Sequence, residues 1–329
     1  MEFLADYGIF AAKFLTVALV IVLGIGTLIV LFANRSQSAS ADSIEVKNLN
    51  DKFNAMRDAL EAAILPPKAW KAMVKQRKQE RKEHASRSGD DGRARVFVCR
   101  FDGDIRASGV TSLQEEVTAI LSVATPGDEV VALITSPGGV IHGYGLAASQ
   151  LQRIRDRGIP LTSAVDKVAA SGGYMMACVA DKIIAAPFAI VGSIGVVAQI
   201  PNFNRLLKKH DIDFEEITAG EFKRTLTMFG ENTDADRRKF REEIEDAHEL
   251  FKEFVHDNRP AVDIAAIATG EYWYGKRALE QQLIDELRTS DDYLCERAKT
   301  ADIYEVTYRH KRSLVDKLLG QTVRLLHSF

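Results

Sequence analysis

The sequence predicts an α/β protein with a largely parallel sheet, preceded by a single N-terminal membrane-spanning helix. Three observations predict it. From about residue 93 to 300, short apolar runs alternate with amphipathic stretches, as the strand–helix units of a parallel sheet require. Two glycine pairs, Gly138-Gly139 and Gly172-Gly173, stand at the ends of strand-like runs, where α/β folds collect their sites. Residues 14–33 are twenty positions without a charge, rich in Leu, Val and Ile.

Residues 1–8 read as a short tail and 9–33 as the spanning helix. At about 1.5 Å per residue, the uncharged run crosses a hydrocarbon core of about 30 Å. A cleaved leader is the competing expectation, since Ala39-Ser40-Ala41 has the small-residue form of a cleavage site. The run is too long for that, and the leading segment carries Glu2 and Asp6 instead of several basic residues, so a retained helix is expected. Lys13 on one side and Arg35, Lys47 and Lys52 on the other lean weakly toward a cytoplasmic C-terminal portion. Long domains escape that rule, so charge leaves the membrane side open.

Residues 34–92 read as a helical, basic linker. Leu49, Phe53, Met56, Leu60 and Ile64 have helical spacing over 44–65, and Pro66-Pro67 ends it. Residues 68–87 hold eight basic side chains against Glu80 and Glu83, which reads as a solvated helix or linker. Ser86 to Asp91 reads as a joint, and a folded domain is expected over 93–300. Its expected strands are Arg95–Phe101, Val130–Thr135, Leu161–Val165, Lys182–Ala185, Gly195–Gln199 and Phe214–Thr218. Its expected helices are Ser112–Val123, Gly143–Arg157, a stretch from Ser171 to about Ala180, and 234–257. A strand and an amphipathic helix are expected over 301–329.

Composition narrows the function. The hydrophobic fraction is 46%, and a net charge of −3 gives no reason to expect nucleic acid. Cys99, Cys178 and Cys295 are widely spaced and fit neither a disulfide framework nor a metal site. No cofactor is expected, because Gly143-Tyr144-Gly145 lacks the context of a phosphate loop.

Ala170-Ser171-Gly172-Gly173-Tyr174 is the motif with chemistry. A nucleophilic serine needs a sharp turn and free backbone N–H groups beside it, and glycine supplies both. Thr135-Ser136-Pro137-Gly138-Gly139 offers a second source of such donors. The serine also needs a base. Of the seven histidines, His142 is the one candidate, and it has no evident orienting carboxylate. Lys223, after Phe214–Thr218, is the other candidate, and a lysine acts as a base only where burial lowers its pKa.

Five motifs in order carry a resemblance: the two just quoted, Ala180-Asp181-Lys182-Ile183, Gly192-Ser193-Ile194-Gly195-Val196 and Thr269-Gly270-Glu271. Over about residues 95–290 the chain resembles the signal peptide peptidase A family, and most closely its single-module membrane-protease branch. The resemblance implies a Clp protease/crotonase-like fold and a serine/lysine dyad, with the lysine about fifty residues after the serine. Lys223 stands 52 residues after Ser171. It implies Ser171 as nucleophile, Lys223 as base, Ser193 as the hydroxyl that orients the lysine, and N–H groups of Gly172 and of Gly138 or Gly139 as the oxyanion hole. Asp181 matches a family aspartate for which a structural role is expected.

The same resemblance implies a membrane-anchored endopeptidase that cleaves extended or unfolded polypeptides, including remnant signal peptides. It further implies homo-oligomers in a bacterial inner membrane, with the catalytic domain in the periplasm. One departure stands out: Gln282-Leu283-Ile284-Asp285 replaces the family's Gly-Leu-Val-Asp, losing a turn glycine. A Clp-type Ser-His-Asp triad fails, because no histidine lies between His142 and His210. An acyl-CoA-binding crotonase needs no serine nucleophile, so Ser171 and Lys223 count against it. The remaining rival is a catalytically silent scaffold that keeps the fold to bind membrane partners.

Overall fold

The computed structural model describes residues 43–87, 93–220 and 222–309, with Lys13, Thr16, Val20 and Gly24 as isolated helical positions. Among the described residues no helix is long and apolar enough to cross a membrane. The expected span at 9–33 lies outside them but for those four positions, as does the helix expected after residue 309. Residues 46–307 form the larger of two compact units. In the smaller, Arg309 Nε donates to Glu45 at 2.6 Å.

From residue 43 the described chain forms β1 (Ser43–Asn48), α1 (Leu49–Ile64) and α2 (Pro67–Arg87). Asn48 caps α1 by accepting the Asp51 N–H, and Leu65 ends it in extended backbone before Pro66-Pro67. The single helix expected over 44–65 is therefore a strand followed by a helix. Asn50 explains the break: its Nδ2 donates to Ala301 O at 2.9 Å and its Oδ1 accepts from Ile303 N–H at 2.7 Å. Those bonds tie the start of α1 to β10 (Ala301–Arg309).

The main sheet runs β1-β10-β2-β3-β4-β6-β9, with β2 Ala94–Asp102, β3 Glu129–Thr135, β4 Leu161–Val165, β6 Lys182–Ala185 and β9 Glu286–Leu287. The pairs from β10 through β9 are parallel. Both faces are covered, so the central strands read as continuous apolar runs. Alternate residues still divide between two cores. Phe97, Cys99, Phe101, Ala132 and Ile134 pack with helices α3 (Val110–Leu121) and α4 (Ile141–Arg155). Val96, Val98, Val131 and Leu133 pack on the other side with Ala164, Ile184, Leu294 and Ile303.

A second sheet of three strands decides where chemistry can occur. It consists of β5 (Val168–Ala170), β7 (Ile190–Gly192) and β8 (Tyr272–Tyr274), in the order β5-β7-β8. A bridge between Ser136 and Ala169 joins it to the carboxyl end of β3. The strand expected at Gly195–Gln199 is absent. Gly192 at φ 92° and Ser193 at φ 53° turn the chain out of β7 before it, and Val197 is 81% exposed. Phe214–Thr218 also forms no strand, since among the described residues no neighbouring edge pairs with it. Alternating polarity needs a partner strand to become a sheet.

The long charged helix is α7 (Asp234–Asn258), opened by a capping box between Thr233 and Asp236. Between α4 and α7 lie α5 (Gly172–Ala177) and α6 (Asn204–Lys209). After α7 come α8 (Ile264–Ile267), α9 (Gly275–Glu280) and α10 (Ser290–Arg297). Asp181 takes the structural part expected of it: Oδ2 accepts from Leu161 N–H at 2.9 Å and Oδ1 from Arg155 Nε at 3.0 Å. Gln282 holds φ 59° just after α9, a left-handed position that favours glycine. Gln282→Gly is expected to stabilise the fold by about 0.5–1 kcal/mol, read as a higher urea midpoint at unchanged slope.

Candidate active site

Ser171 sits between β5 and α5 with φ 51° and ψ −119°, a strained backbone for a residue with a β-carbon. Its N–H donates to Gly192 O at 2.7 Å and its carbonyl accepts from Met175 N–H at 2.9 Å. The strand behind and the helix ahead thus hold the strain in place. Ser171 itself is half-buried, while Gly172 through Ala180 are all buried. The serine is therefore the part of this turn that solvent or a ligand can reach.

Gly138, at φ 90°, packs directly on that turn. A β-carbon at 138 would fall 2.7 Å from both Ser171 Cβ and Gly172 N. Gly138 is buried, and its N–H donates to Ser136 Oγ at 3.1 Å. Gly139 is exposed and backed by Ile105, whose carbonyl accepts the Val140 N–H at 2.8 Å. A β-carbon at 139 would lie 2.1 Å from that oxygen. Gly172 is the first residue of α5, so its N–H has no intrahelical acceptor. Among the described residues neither the Gly139 nor the Gly172 N–H donates to a protein acceptor.

Ser193 lies in the loop whose preceding residue, Gly192, holds the Ser171 amide. Its N–H donates to Glu271 O at 2.7 Å and its hydroxyl to Gly270 O at 3.3 Å. The Ile194 carbonyl accepts from Gly270 N–H at 3.1 Å and lies 3.2 Å from His248 Nε2 on α7. The Thr269-Gly270-Glu271 motif thus acquires a physical reason: its backbone clamps the Ser193 loop.

Lys223 is exposed, in a turn where its N–H donates to Gly220 O at 3.2 Å, and its amine is not hydrogen-bonded to Ser171 or Ser193. The structure therefore gathers Ser171, Ser193 and the glycine pairs, and does not bond the lysine to them. His142 is exposed in the first turn of α4 and makes no hydrogen bond with Ser171. Cys178 is fully buried, and burial pushes its thiol up to about 12, which suits packing and not nucleophilic attack.

Three residues of this neighbourhood escape sequence reasoning. Tyr144 on α4 is buried with its hydroxyl donating to Asp104 O at 2.8 Å, and 2.5 Å from Ser136 Oγ. Burial raises the phenol above its ordinary range, against the pull of the Ser136 hydroxyl. Ser136 is likewise buried, and His248 is half-buried against the Ser193 loop. An apolar-face tyrosine and a histidine on a charged helix carry no sequence signal of their own. Ser136 stood inside a quoted motif without a role.

Comparison with known proteins identifies the family. The pattern of peptidase family S49 matches residues 153–304, and that of peptidase family S49 N-terminal matches 2–151. A probable protease SohB of Haemophilus influenzae is 48% identical over 342 aligned residues, covering 100% of this chain and 96% of that protein. A probable protease SohB of Buchnera aphidicola subsp. Acyrthosiphon pisum is 52% identical over 236 residues, covering 72% of this chain and 70% of that protein. A solved structure, the 1510-N membrane-bound stomatin-specific protease in a serine-to-alanine form, aligns with TM-score 0.43 at 13% identity, over 63% of this chain and 86% of that one. The sequence relation establishes the family. The chain belongs to peptidase family S49 and is a serine peptidase of that family.

Proposed function

We propose that the protein is a membrane-anchored endopeptidase in which Ser171 attacks a peptide carbonyl with Lys223 as its general base. The observation that carries this reading is the turn at Ser171. A strained serine is the half-buried residue ahead of a buried helix, and among the described residues the Gly139 and Gly172 N–H groups have no protein acceptor. In the reaction, neutral Lys223 takes the Ser171 proton as Oγ bonds to the carbonyl carbon. The two glycine N–H groups receive the developing oxyanion, each contributing about 3–4 kcal/mol. The tetrahedral intermediate collapses with cleavage of the C–N bond, and the lysine returns its proton to the leaving amine. Water, deprotonated by the same amine, then releases the acyl-enzyme.

A neutral lysine needs a partly desolvated setting. Lys223 is exposed in the single chain, so substrate or a second copy of the chain must cover it and bring it to Ser171. Catalytic hydrogen bonds often form only in the substrate complex. The family position of Lys223 supports its assignment, and Ser193, held beside the Ser171 turn, is the hydroxyl that orients it. Extended and unfolded polypeptides are the substrates, with remnant signal peptides among them. A putative signal peptide peptidase SppA of Enterococcus faecium, 27% identical over 180 residues, supports that class. The uncharged run at 14–33 supports the anchor in a bacterial inner membrane, and the family resemblance supports a periplasmic catalytic domain. A reporter fused after Phe329 that works only outside the cytoplasm is the expected result; one that works only inside contradicts it.

The test of the chemistry is cleavage of an unfolded protein by detergent-purified enzyme. Ser171→Ala and Lys223→Ala are expected to be inactive and His142→Ala active. Full activity of Lys223→Ala with loss in His142→Ala would reassign the base. A wild type that cleaves nothing across substrates and pH would favour the silent scaffold.

A further inference from the structure

Tyr144 packs against one half of the candidate oxyanion hole and is linked to the other through Ser136. Its ring underlies Gly172, where a β-carbon would fall 2.3 Å from Tyr144 Cγ and 2.6 Å from Cδ2. Its hydroxyl reaches the other glycine pair through one intermediary. The Tyr144 hydroxyl donates to Asp104 O at 2.8 Å, the Ser136 hydroxyl lies 2.5 Å from it, and the Gly138 N–H donates to Ser136 Oγ at 3.1 Å. The ends of this chain fix its direction. A carbonyl accepts and an amide N–H donates, so Ser136 must donate to Tyr144. Gly103 makes room for the pair: a β-carbon there would lie 2.4 Å from Ser136 Oγ and 2.5 Å from Tyr144 Oη.

Packing alone does not account for the hydroxyl. Tyr144 is fully buried, and phenylalanine would fill the same core without the cost of burying a polar group. The hydrogen-bond chain has a consequence for the backbone: it engages the Gly138 N–H inside the protein, while among the described residues that of Gly139 has no acceptor. An oxyanion hole works only when its donors sit about 2.7–3.1 Å from the developing charge, so their spacing must be set before substrate arrives.

We propose that Tyr144 is a positioning residue that sets the two oxyanion donors relative to each other. Its ring seats Gly172, and its hydroxyl, through Ser136, orients the Gly138-Gly139 peptide. The proposal rests on the reading of Ser171 as nucleophile. It assigns the donor from the second glycine pair to Gly139 and gives Gly138 the task of close packing.

The experiment is a double-mutant cycle of Tyr144→Phe and Ser136→Ala on cleavage of a fluorogenic peptide, with Ser171→Ala as control. A peptide aldehyde, whose adduct oxygen enters the hole, is the second probe. Each single variant is expected to lower kcat about tenfold at unchanged KM and to weaken the aldehyde by a similar factor. Because the two hydroxyls act through one chain, the double variant is expected to fall no further than the singles. Wild-type kcat in Tyr144→Phe overturns the proposal, as does a loss confined to KM or effects that multiply in the double variant. If Tyr144→Phe does not fold, Ser136→Ala alone decides by the same kcat and aldehyde readings. Residual full activity in Ser171→Ala would instead sink the nucleophile assignment, a failure the control separates from that of Tyr144.

Discussion

Ser171→Ala is expected to lower peptide cleavage by at least about 10⁴-fold while leaving the fold intact. The expectation follows from what the side chain does not do. Ser171 is held by its backbone, through Gly192 O and Met175 N–H, so deleting Oγ removes the reacting atom and no structural bond. Thermal unfolding of the variant should therefore match that of wild type. Lys223 gives a complementary test. Lys223→Ala removes the base, and Lys223→Arg keeps the positive charge but stays protonated at any working pH. Both are expected to be inactive. An active Lys223→Arg would mean that the lysine serves as a charge and not as a proton acceptor.

Gly138→Ala is the second large effect, and it acts on structure and chemistry together. The glycine holds φ 90°, which a β-carbon disfavours, and that carbon would also meet Ser171 Cβ and Gly172 N at 2.7 Å and Ala170 O at 2.8 Å. Two of those atoms are backbone and cannot swing aside, so the Ser171 turn must move away from the glycine loop. A loss of about 1–3 kcal/mol is expected in chemical denaturation. Activity should drop by about 10²-fold or more in the fraction that remains folded, because an ångström of misplacement is enough for that. Gly145→Ala is the control: it lies on α4 with open space around the added carbon, and activity should be unchanged.

The parts of the fold legible in sequence are those set by local pattern. Leu161–Val165 and Lys182–Ala185 coincide with their expected bounds, and the expected 234–257 helix appears as Asp234–Asn258. Elements that depend on distant partners were not legible. Val168–Ala170 and Tyr272–Tyr274 are three-residue strands that exist because β7 lies between them. Ser43–Asn48 became a strand because Asn50 anchors the next turn to β10, more than 250 residues away. The segments around Val196 and Ile217 have strand-like patterns but, among the described residues, pair with no edge.

The site divides in the same way. Its glycines and serine announce themselves, because close approach and positive φ leave few residue types possible. Tyr144 did not, since a buried aromatic on a helix looks like any core residue until its hydroxyl is seen to lead to Gly138. Lys223 is the opposite case. It was marked by a family position, and in the single chain its amine makes no bond to the serine it is proposed to serve.

The most direct measurement is to react detergent-purified protein with a fluorophosphonate probe and locate the adduct by mass spectrometry. A single adduct on Ser171, abolished in Lys223→Ala and retained in His142→Ala, is the predicted result. An adduct on another serine, or equal labelling of the Lys223→Ala variant, would contradict the account.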